Sequence, residues 1–167
     1  IIMKTNILNL KKILVKSSMI LMLVVFCSFS GDKTNLCDEA IQSATKALDP
    51  YNYDSAEATY IKCKTEKQEI KDIEVILYFG ERYRFVFNTE NAPDGLKIEV
   101  YDRKSKSSSR NLLFSNVGKQ GKVHYFEPAK SRTMYINYTV PATVQPKDTL
   151  KSGCVVFALG YEIKKLF

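Results

Sequence analysis

Residues 153–161 read GCVVFALGY, and the reading of this run decides the fold. In a strand, successive side chains point to opposite faces. Val155, Phe157, Leu159 and Tyr161 then share one face, large enough to help build a core. Cys154, Val156, Ala158 and Gly160 share the other. Those residues are mostly small, so a second layer can approach that face closely.

The same alternation recurs upstream. Residues 133–140 place Met134, Ile136, Tyr138 and Val140 on one face, and residues 122–127 and 111–115 are short β-type runs. Leu96, Ile98 and Val100 alternate with Lys97, Glu99 and Tyr101; Tyr83, Phe85 and Phe87 alternate with Arg82 and Arg84. Residues 73–79 are apolar on both faces apart from Glu74, the pattern of a strand covered on each side. Turn residues separate these runs: Gly80, the 91–95 cluster NAPDG, and the polar loop 103–110, RKSKSSSR. Seven strands with no helix between them predict an antiparallel β-sandwich, residues 71–167, rather than a βαβ fold.

Residues 31–70 read differently. Thr34 or Asn35 can cap a helix with Asp38 and Glu39 in its first turn. Ala40, Ile41, Ala44 and Leu48 make one apolar stripe, which Asp49-Pro50 ends. Asp54 with Glu57 resembles a capping box opening a second helix over 56–68, although Thr59, Tyr60 and Ile61 equally suit a strand. The expectation is a short helical hairpin, removable with residues 37–68 to leave a folded sandwich.

Residues 1–30 have the layout of a signal peptide: Lys11 and Lys12, an apolar run from Met19 to Phe26, then Ser28 and Ser30. Met3 is read as the initiator and Gly31 as the first mature residue. The apolar run is shorter than the roughly 20 residues of a membrane span. The competing reading is lipidation at Cys27, although bulky Phe26 precedes it where a lipoprotein box has a small residue. The expected location is periplasmic or secreted, with a membrane attachment only if Cys27 is lipidated.

Setting the leader aside removes four lysines and no acids, leaving 21 Lys+Arg against 18 Asp+Glu, a balance of +3. With no basic stripe, nucleic acid is a poor partner. Three cysteines remain, and an oxidising compartment pairs two. Cys37 and Cys63 are expected to pair, stapling the helical segment, with Cys154 left as a buried thiol.

Catalytic chemistry finds no footing. The single histidine, His124, has no motif around it, no G-x-S-x-G elbow exists, and nothing local brings Cys154 to His124. Asp94, Glu99 and Asp102 are the only acidic group near a turn that suggests calcium, and they are spread out rather than packed in one loop. No enzyme activity, metal or cofactor is expected. Aromatic content is the one hint of binding. Tyr51, Tyr53, Tyr101 and Tyr135 fall in a loop or on outward positions, and Tyr101 with Tyr135 are the candidate ligand or partner contacts.

The order of GERYRF at 80–85, LKIEVYD at 96–102, YINY at 135–138 and the closing GCVVFALGY resembles the jelly-roll modules of bacterial secreted proteins of the pre-peptidase C-terminal type. The resemblance covers residues 71–163 and implies a non-catalytic accessory module, some of which bind polymers or calcium. The functional expectation is a protein-binding or assembly module whose partner is another envelope or secreted protein, met through the helical segment or a sheet edge. The alternative is a carbohydrate-binding accessory module with a polysaccharide as ligand.

Overall fold

The computed structural model describes residues 34–62, 66–142 and 152–163. The expected signal segment 1–30, Cys27, Cys63 and most of the 141–152 loop lie outside them. The described residues open with helix α1 (Thr34–Lys46) and continue as eight strands: β1 (Asn52–Ile61), β2 (Gln68–Val75), β3 (Glu81–Asn88), β4 (Lys97–Tyr101), β5 (Leu112–Ser115), β6 (Val123–Phe126), β7 (Met134–Val140) and β8 (Gly153–Ile163). They form two four-stranded sheets, ordered β1-β8-β3-β6 and β2-β7-β4-β5, with every pairing antiparallel.

The alternations place the core as expected. Tyr83, Phe85, Phe87, Val155, Phe157 and Leu159 of the first sheet share one buried cluster with Ile98, Val100, Phe114, Met134, Ile136, Tyr138 and Val140 of the second. Phe87 stacks on Phe114 across the two sheets with ring centroids 5.5 Å apart. Large aromatic area removed from water supplies most of the drive to close these faces together.

Helix α1 covers the outer face of the first sheet. Ala40, Ala44 and Leu48 pack on Val86, Val156 and Ala158, so the apolar stripe and the small-residue face of β8 meet each other. At Gly160 an added Cβ would lie 3.0 Å from the Leu48 and Tyr51 side chains, which explains the absence of a larger residue there. Arg84 closes the far end of this layer. Its guanidinium donates to the Leu48 and Asp49 carbonyls at 3.4 and 2.7 Å and to Glu127 at 2.6 and 2.9 Å, with its plane over Tyr51. A cation suits the carbonyl-rich end of a helix.

Four expectations are corrected here. The segment 31–70 holds one helix rather than a hairpin, because residues 52–61 form β1, paired along its length to β8. Deleting residues 37–68 would therefore remove a strand of the first sheet. Asp38 and Glu39 fall in the second turn of α1, whose first turn has no acid. The disulfide joins Cys37 to Cys154, Cα atoms 6.0 Å apart, in place of Cys37 to Cys63. Cys154 stands on the face of β8 that receives the helix, and that docking brings Cys37 to it. Finally, β2 runs Gln68–Val75, so residues 76–79 leave the sheet.

Candidate functional site

Strands β1 and β2 are edges of their respective sheets and lie on the same side of the molecule. A groove of about 430 Å³ opens between them, walled by Asp54, Ser55 and Glu57 on one side and by Ile73, Glu74 and Ile76 on the other. Its floor is made by Phe157 and Leu159, core residues of β8. The register explains the polar wall. Ser55, Glu57 and Thr59 oppose Leu159, Phe157 and Val155, so they stand on the core-side face of β1. A fully covered strand would place apolar side chains there. Ala56 and Ala58, on the opposite face, pack towards α1.

Charge in the groove is one-sided. Glu74 pairs with Lys104 at 3.3 Å, and Asp54 accepts a hydrogen bond from Ser55 at 3.0 Å. Among the described residues Glu57 has no ion pair or hydrogen bond. Its charge acts on the wholly buried Tyr138, whose hydroxyl hydrogen-bonds with Thr59 across the gap. Burial first, then Glu57, pushes the Tyr138 phenol up, so it stays protonated.

Where β2 ends, the chain presents an apolar apex. Ile76, Tyr78 and Phe79 are 57%, 68% and 99% exposed, while Leu77 between them is buried in the core. The segment is pinned as well as anchored. The Tyr78 N–H donates to the Tyr83 hydroxyl at 3.0 Å, and that hydroxyl donates in turn to Glu81. Burial, followed by the Glu81 hydrogen bond, pushes the Tyr83 phenol up to about 12. Gly80, at φ +94°, then turns the chain into β3 in a conformation that disfavours a side chain. Contiguous exposed apolar side chains on a fixed segment are the usual mark of a contact surface.

Tyr101 and Tyr135 do come together, directly opposite one another on β4 and β7. Their outer faces already carry the chain's own cations, Arg110 at 3.7 Å from the Tyr101 centroid and Lys104 at 5.7 Å from that of Tyr135. Both cations come from the loop 103–110, which is tied down rather than free. The Asp72 carboxylate accepts from the Ser105 N–H and hydroxyl at 2.8 and 2.7 Å. Asp72 itself sits at φ 59° in a β2 bulge, its N–H donating to buried Asn137.

The other candidates are dispersed. Asp94 pairs with Lys122, Glu99 with Lys97, and Asp102 with Arg132 while accepting two bonds from Asn111. Among the described residues no three His, Cys, Asp or Glu gather as a metal site would need. Cys154 is held in the disulfide, so it offers no thiolate. His124, 5% exposed, lines a separate cleft of about 330 Å³ with Lys97, Lys119 and Lys122 at its edge. Burial, then Lys119 and Lys122, lower its pKa and favour the neutral ring. Among the described residues no helix is long and apolar enough to cross a membrane.

Comparison with protein-family models and with curated proteins found no match for this chain. The groove and apex were missed in the sequence, yet two signals for them exist. Polar Ser55, Glu57 and Thr59 alternate with Ala56 and Ala58, which is a strand period. The apolar run from Ile73 to Phe79 is also longer, at seven residues, than the mean strand of about five or six.

Proposed function

We propose that this chain is an exported, non-enzymatic binding module that docks another envelope or secreted protein on its β1–β2 side. The reading takes the architecture to be a jelly-roll sandwich, like the secreted accessory modules of the pre-peptidase C-terminal type. The strand order β1-β8-β3-β6 and β2-β7-β4-β5 supports that, since eight strands in two four-stranded Greek-key sheets make a jelly roll. A disulfide between distant parts of the chain supports an oxidising periplasmic or extracellular location.

The observation that carries the docking reading is the apex, where Tyr78 and Phe79 project into solvent from a segment held by Leu77 and Tyr83. Aromatic side chains bury much area at little entropic cost and dominate binding energies. Two sheet edges beside them, unpaired among the described residues, offer backbone hydrogen bonds to an added strand. The helical route to a partner has less support, because Ala40, Ala44 and Leu48 are spent on the sheet. The carbohydrate-binding alternative has less support too, because Arg110 and Lys104 cover the tyrosine rings a sugar would stack on.

The test is quantitative binding of the purified partner, first recovered from native envelopes and identified by mass spectrometry. Phe79→Ser is expected to weaken binding tenfold or more, the scale of one lost aromatic anchor, with thermal unfolding unchanged. Tyr101→Ala with Tyr135→Ala is expected to leave affinity within about twofold. The reverse pattern would overturn the docking reading and favour the tyrosine face.

A further inference from the structure

We infer that the β1–β2 groove recognises an extended partner segment through a lysine or arginine side chain, with Glu57 as the counter-charge. This rests on the docking reading above and names the chemistry of its occupant.

Three features select that occupant. The floor is apolar, formed by Phe157 and Leu159 with Ile73 beside them, so it favours hydrocarbon. The walls hold Asp54, Glu57 and Glu74, and a single cation, Lys104, answers Glu74. The groove therefore keeps an excess of two negative charges, with Glu57 in no ion pair or hydrogen bond among the described residues. Lysine and arginine fit both conditions in one side chain, an aliphatic stem for the floor and a charged head for the wall. A neutral apolar segment would leave Glu57 facing it unpaired, and an acidic one would be repelled.

The backbone suits an extended segment. The β1 wall spans residues 54–57, and four strand residues cover about 13 Å at roughly 3.3 Å each. Both walls are edge strands among the described residues, which leave N–H and C=O groups for an added strand along either. Glu57 on the core-side face of an edge strand is also the arrangement that deters edge-to-edge aggregation. That bland role predicts no preference among peptides, and the experiment separates the two.

The probe is the peptide acetyl-VKVKV-amide, titrated into the full disulfide-bonded protein and followed by amide and methyl NMR shifts. Its control is acetyl-VQVQV-amide, of the same length and backbone. The expected result is saturable shifts at Ile73, Glu57, Phe157 and Leu159 with the lysine peptide, and at least fivefold weaker binding of the glutamine peptide. Glu57→Gln is expected to remove that preference while Phe79→Ser keeps it. Equal binding of the two peptides, binding elsewhere, or no binding overturns the inference and leaves Glu57 as an edge guard. Because Phe79→Ser reads the docking reading and Glu57→Gln reads the groove, the failure of one is distinguishable from the failure of the other.

Discussion

His124 shows how a residue's surroundings fix its chemistry. The ring sits on β6 with Lys119 and Lys122 close by, Lys97 across the cleft and Asp94 bound to Lys122. Burial and the two lysines oppose protonation, so its folded pKa lies below the usual value near 6.5. Between those two values the unfolded chain binds more protons than the folded one. Stability is therefore complete above pH 6.5 and declines as pH falls towards the folded value. Urea midpoints at pH 7.5 and 5.5 check this: the midpoint is expected to fall, and His124→Gln to flatten the change. An equal fall in that variant would assign the effect to another group. Gly153 is equally constrained, since an added Cβ would collide with the Asn91 carbonyl that accepts from the Cys154 N–H.

The elements show what sequence patterns can and cannot specify. Strands β3, β4 and β7 were legible because each buries an unbroken row of large apolar side chains on one face while the other face carries polar or smaller residues, and that contrast prints a two-residue period. Strand β1 was misread for a physical reason. The helix packed over it requires small residues, and Ala56 and Ala58 supply them, which imitates the composition of a helix. Asp54 and Glu57 then counterfeit a capping box, when their place is the wall of a groove. The stretch 76–79 was misread because apolar content marks burial only on average, and here it marks a surface. The disulfide follows from tertiary docking rather than sequence proximity, so spacing alone could not choose Cys154 for Cys37. Cys37→Ser is expected to cost about 2–5 kcal/mol of stability, read from denaturant midpoints. A loss under 1 kcal/mol would mean that the apolar stripe alone holds α1 in place.

At the scale of the molecule, the two sheets close unequally. Aromatic packing among Phe85, Phe87, Phe114, Phe126 and Phe157 fills the space between them. On the β1–β2 side the sheets leave a groove whose floor is formed by the buried Phe157 and Leu159. Helix, disulfide and Arg84 all brace the outer face of the first sheet, and the loop 103–110 braces the outer face of the second. None of these contacts braces the β1 and β2 edges or the apex beside them, and the proposed docking falls there rather than at the β5 and β6 edges, which carry no comparable apex. Amide hydrogen exchange on the protein alone and with its purified partner tests this most directly. Slowed exchange confined to residues 52–61 and 73–79 is the expected result. Slowing confined instead to α1, or to residues 101–110 and 135, would contradict it.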